Sequence, residues 1–98
     1  MNERPIACTL GAAELTTLAG RWGAVRKRAG LRRNETTDGL RLDFRIADGV
    51  EDELRALVAV ESECCAWAEW SVERRGDELY VSLTAAGDGI QAAHGMFR

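Results

Sequence analysis

Cysteine, proline and histidine are all scarce in this 98-residue chain, which has three, one and one of them. Three cysteines cannot form a complete set of internal disulfides, and adjacent residues rarely bond to each other, so free thiols or metal ligands are expected. No apolar stretch approaches the ~18 residues of a membrane span. The opening MNERPIACTL lacks the form of a signal peptide, which points to the cytoplasm, where thiols stay reduced. Positive charge is in deficit too. With a net charge of -3 and a pI near 5.1, neither nucleic acid nor an anionic membrane is expected as partner. The one basic run, Arg26-Lys27-Arg28 with Arg32-Arg33, falls around an expected helix end, where cations offset the helix dipole. Repeats, low-complexity tracts and linkers are missing as well. What remains is ordinary globular composition, 46% apolar and 30% charged, long enough for one modest core and hence one domain over residues 1–98.

The patterning describes a scaffold. PIACTL alternates, with Ile6, Cys8 and Leu10 on one face of a short first strand. Gly11, with Glu14 three residues on, opens a helix whose stripe is Leu15, Leu18, Trp22, Val25 and Ala29, and Gly30 stops it. A weak strand near 31–36, a turn at 37–39 and LRLDFRIA form a hairpin. Leu40, Leu42, Phe44 and Ile46 face its dry side, and Arg41, Asp43 and Arg45 its wet side. Asp48 with Glu51 reads as the capping pair of a second helix over about 49–65. A second hairpin turns at 75–78, with Trp70 and Val72 inward on one strand and Leu79, Val81 and Leu83 on the other. Asp88 caps a short last helix in which Ile90, Ala93 and Phe97 share a face. The expected fold is α+β in the order β-α-β-β-α-β-β-α, a single antiparallel sheet with helices packed on one face.

The stretch ESECCAW, residues 61–67, breaks the pattern of a core helix. Projected at ~100° per residue, Glu61 falls at the centre of the apolar stripe formed by Val50, Leu54, Leu57 and Val58. Cys64 and Cys65 flank it one turn later, while Glu63 projects to the opposite, solvated side. A carboxylate inside an apolar stripe must be paired, protonated or bound to something. One reading pairs Glu61 with Arg21, beside the stripe of the first helix. The other places it in a polar pocket with the thiols, as extra metal ligand or proton donor and acceptor; the two are compatible.

A single inward cysteine usually packs as a small hydrophobe. Two adjacent cysteines cannot share one packing role, because their side chains diverge by ~100° on a helix. If the helix ends at Cys65, both sulfurs can converge, and the alternation of the first strand turns Cys8 to the same dry face. A site of Cys8, Cys64 and Cys65 thiolates with Glu61 is therefore expected. Structural zinc prefers four closed ligands and C-x₂-C spacing, so zinc with Glu61 or His94 as fourth ligand is disfavoured. Soft thiolates suit mercury(II), arsenic(III) or copper(I). Thiols at a helix C-terminus beside a carboxylate lack the cations that acidify redox cysteines, so binding is expected over thiol–disulfide exchange. His94 is expected to be a partly buried or surface histidine, and Trp22, Trp67 and Trp70 core and pocket wall.

ACTL at 7–10, GRW at 20–22, RLDF at 41–44, ESECCAW at 61–67 and the MF close resemble a group of small bacterial proteins. Similar segments occur beside, or fused to, regulators of the mercury-resistance type. The resemblance carries Cys8, Glu61, Cys64 and Cys65 across as the site. The group commonly has Pro-Phe after the cysteine pair where this chain has Ala66-Trp67, a departure that bears on the pocket's shape rather than its ligands. The function expected is a non-enzymatic soft-metal or metalloid binder, mercury(II) first. The alternatives are an organomercurial lyase-like enzyme using two thiolates and Glu61 as proton donor, and an interaction domain with merely packed cysteines. The partner is a metal ion or organometallic ligand.

Overall fold

A computed structural model describes residues 12–98, apart from the side chains at positions 12 and 15. The expected first strand, with Ile6, Cys8 and Leu10, and the Gly11 cap lie outside the described residues. The order from there on is α1 (Ala12–Ala29), β1 (Gly30–Thr36), β2 (Gly39–Arg45), α2 (Val50–Cys64), β3 (Glu69–Arg75), β4 (Glu78–Thr84) and α3 (Asp88–His94). The fold is α+β: one antiparallel sheet in the order β1-β2-β4-β3, with the helices packed against it. Each hairpin supplies one central and one edge strand.

The apolar alternation builds the core. Across the β2–β4 seam Leu40 pairs with Leu83, Leu42 with Val81 and Phe44 with Leu79, and all six side chains are buried. Against this row α1 brings Leu18, Trp22, Val25 and Ala29, and α2 brings Val50, Leu54, Leu57 and Val58. Period two on the strands meets period 3.6 on the helices, so one continuous apolar layer lies between them.

The opposite face of the sheet is less wet than its pattern suggests. Asp43, expected in solvent, is fully buried. A register shift between Gly30 and Arg32 sets Arg32 opposite Asp43 and leaves Leu31 42% exposed. Arg32 Nε then donates to Asp43 Oδ2 at 2.8 Å and Arg41 Nε to Oδ1 at 2.7 Å. Asn34 Nδ2 donates to Oδ2 at 3.2 Å. Arg41 also lies over the Tyr80 ring, 4.2 Å from its centroid, so long side chains roof the carboxylate. Alternation reports which face a residue takes, not what its neighbours cover.

Neither expected acidic cap forms. Gly49, at φ 76°, occupies the position before α2 and has no side chain to cap with. This left-handed turn carries Asp48 out of reach, and the Asp48 carbonyl instead accepts from the Arg28 guanidinium. Asp88 is the first residue of α3 rather than its cap, with Gly87 before it and no side-chain cap bond. The end of α3 is held from the sheet: Arg33 Nη2 donates to the carbonyls of His94 at 2.6 Å and Met96 at 2.9 Å. His94 is partly buried, as expected, with Nε2 2.8 Å from the Thr36 carbonyl oxygen. These contacts fix the C-terminal residues Met96 and Phe97 over the open side of α1. Among the described residues, no helix is long and apolar enough to cross a membrane.

Candidate soft-ion site

The buried face of α2 consists of Val50, Leu54, Leu57, Val58, Glu61 and Cys64. Helical spacing alone therefore carries Glu61 inward, and it is only 5% exposed. Its carboxylate is satisfied by three donors. Trp22 Nε1 donates to Oε2 at 2.8 Å. Oε1 accepts from Cys65 Sγ at 3.3 Å and from Cys64 Sγ at 3.6 Å.

Arg21 does not serve as the partner of Glu61. It makes a two-pronged ion pair with Glu53, Nε to Oε2 at 3.1 Å and Nη2 to Oε1 at 2.7 Å, two helical turns before Glu61. The Arg21 hydrogen bonds and charge hold the Glu53 carboxyl below the usual carboxylate range. The reason is angular: Trp22, in the buried stripe of α1, faces the core side of α2, whereas Arg21 lies beside the stripe and reaches its flank. Trp22 was expected as core or pocket wall, and its bond to Glu61 was missed in the sequence. A signal was there, because a buried indole N–H needs an acceptor and Glu61 is the one carboxylate in the facing stripe.

The two thiols meet because the helix ends between them. Cys64 is the last residue of α2, and Cys65 leaves the helical conformation at φ -113°, ψ 58° while its N–H still bonds the Glu61 carbonyl at 2.7 Å. The Cys65 carbonyl is anchored in turn, accepting from Ala68 N at 3.3 Å and Trp70 Nε1 at 3.4 Å. The departure from helix brings the two Sγ atoms to 3.5 Å, well beyond the ~2.05 Å of a disulfide. The ligand atoms of Glu61, Cys64 and Cys65 all lie within 4.8 Å of one another, and all three residues are buried. Cys8 lies outside the described residues. His94 is engaged with β1 rather than with this group.

A cleft of about 430 Å³ reaches the cluster. Leu18, Ala19, Trp22, Gly23, Met96 and Phe97 form most of its wall, and Arg26, Glu61 and Cys65 complete it. The Trp22 and Phe97 ring centroids are 4.8 Å apart, and Trp70 lies 6.4 Å from Trp22 behind them. Trp67 packs its ring against Gly89 of α3. Trp22 and Trp70 thus sit about the site and Trp67 in the packing under α3.

This arrangement can hold a thiophilic ion between two sulfurs, with a carboxylate positioned to accept the thiol protons. The chain matches no protein-family model, no curated protein and no solved structure.

Proposed function

We propose that this protein binds a soft, thiophilic metal or metalloid ion through Cys64 and Cys65, with Glu61 taking up their protons or serving as a weak extra ligand. The observation that supports it is the buried grouping of two sulfurs and one carboxylate within 4.8 Å. Three donors converge there on one carboxyl inside an apolar stripe. Mercury(II) is the leading ion on softness, with arsenic(III), copper(I) and zinc as competitors. For a bare ion, Cys8 is proposed as a third thiolate. The ion must displace both thiol protons, so affinity rises with pH. Scavenging, carrying and sensing all use the same bound state.

Native mass spectrometry of the whole chain with one equivalent each of mercury(II), copper(I) and zinc tests the reading. The wild type should retain mercury(II) and the Cys64→Ser and Cys65→Ser variants should lose it. Equal retention by those variants would sink the proposal. A second reading, cleavage of a carbon–mercury bond, draws on Glu61 Oε1 lying within 3.6 Å of both sulfurs, where a carboxylic acid can pass a proton to a leaving carbon. Phenylmercury should then release benzene faster with the wild type than with Glu61→Gln, and equal rates would dismiss the enzyme.

A further inference from the structure

The spacing of the two sulfurs and the lining of the cleft together favour an organic arsenical over the mercury(II) that softness alone ranks first, an inference that rests on the proposed Cys64–Cys65 thiol site. With ion–sulfur bonds of about 2.3 Å, the 3.5 Å between Cys64 Sγ and Cys65 Sγ subtends roughly 100° at an ion bridging them. A linear two-coordinate ion would hold the same sulfurs about 4.6 Å apart. An angle near 100° fits an atom with three bonds and a lone pair, such as trivalent arsenic; a tetrahedral ion fits it nearly as well but wants four ligands, where the described residues group three. Two thiols then fill two of the three positions on arsenic.

The cleft indicates what fills the third. Of the two cysteines only Cys65 lines it, beside Glu61, so an ion entering there meets Cys65 first. The rest of the wall is mostly apolar, Leu18, Ala19, Trp22, Met96 and Phe97, with Arg26 beside them, a lining better suited to carbon than to a hydrated ion. The volume, about 430 Å³, falls within the ~300–1,000 Å³ of small-molecule sites. We infer that the site takes a trivalent arsenical bearing one apolar organic substituent, with arsenic on Cys64 and Cys65 and the substituent in the cleft against Trp22 and Phe97.

The chemistry balances without an oxidant or reductant. An R–As=O species and two cysteine thiols give R–As(S–Cys)₂ and one water. Two arsenic–sulfur bonds replace the two bonds to oxygen, both thiol protons leave on that oxygen, and arsenic remains trivalent. Glu61 Oε1 lies 3.3 and 3.6 Å from the two sulfurs, within reach of both departing protons. Trp22 Nε1 holds the other carboxylate oxygen in place.

Phenylarsine oxide and inorganic arsenite, titrated into the whole chain and followed by tryptophan fluorescence, separate the possibilities. Phenylarsine oxide should bind roughly tenfold or more tighter than arsenite, and Cys64→Ser and Cys65→Ser should each abolish that advantage. Gly23→Phe fills the cleft from an exposed position of α1 where an added Cβ meets no atom within 4 Å. Phenylalanine is also the better helix former, so the fold is not at stake. That variant should weaken phenylarsine oxide roughly tenfold more than it weakens arsenite. Equal affinity for the two arsenicals, or a Gly23→Phe variant that spares both or weakens both alike, overturns the organic substituent while leaving the thiol site standing. Tighter binding of arsenite, lost in Cys8→Ser, assigns the third position to Cys8 and overturns it too. Binding of neither arsenical nor mercury(II) by the wild type removes the thiol site itself.

Discussion

Among the described residues, the buried Glu61 carboxyl hydrogen-bonds no cation, and its partners are one indole and two thiols. Removing one partner and leaving a buried acceptor unsatisfied costs about 1–3 kcal/mol. Trp22→Phe keeps a ring in the core but removes the donor, so urea unfolding should show a loss of about 2 kcal/mol beyond any packing defect. In a Glu61→Leu background the same substitution should cost distinctly less, since no carboxylate is then left wanting a partner. Equal costs in the two backgrounds would mean the Trp22–Glu61 bond contributes nothing. Arg21→Ala should be milder than either, because its ion pair with Glu53 is partly exposed to solvent.

The elements are shaped by where their regular patterns stop. α2 stops between two cysteines, and that single change of backbone conformation brings the sulfurs together. The first hairpin shows a tighter constraint. Gly39 opens β2 opposite Thr84, and a Cβ there would lie 1.9 Å from the Leu83 carbonyl oxygen. No side-chain rotation relieves a clash with backbone. Gly39→Ala should therefore lower stability by about 3 kcal/mol or more, read as a fall in Tm by calorimetry, and an unchanged Tm would show that β2 and β4 are not so close. The boundaries of the hairpins and helices were legible because apolar periods begin and end there. The caps were not, since Asp48 and Asp88 are typical capping residues and only the path of the chain at Gly49 and Gly87 rules them out.

At the scale of the molecule, the sheet register joins residues that no local pattern connects. Burial alone would raise the Asp43 carboxyl, but the hydrogen bonds from Arg41 and Arg32 outweigh it and hold it below the usual carboxylate range. A carboxyl lowered on folding stabilises the protein fully above its unfolded value, near 3.9, and that contribution is lost as pH falls through the lower folded value. Stability should therefore drop below about pH 4 in the wild type, and this part of the drop should vanish in Asp43→Asn. With half-exposed arginines as partners, the substitution should cost about 1–2 kcal/mol at pH 7. Identical acid limbs for the two proteins in pH-dependent urea unfolding would exclude the Asp43 cluster as their cause.

From the order of residues alone come the two hairpins, the three helices after position 11, the apolar stripes and the presence of Glu61, Cys64 and Cys65 on or beside one of them. These are consequences of period, and period is a property of a segment by itself. Tertiary structure decided that Trp22 rather than Arg21 meets Glu61, that Arg32 and Arg41 roof Asp43, and that Met96 and Phe97 close a cleft beside Cys65. Each of those depends on the angle or register between two segments distant in the chain, which neither segment encodes until they pack.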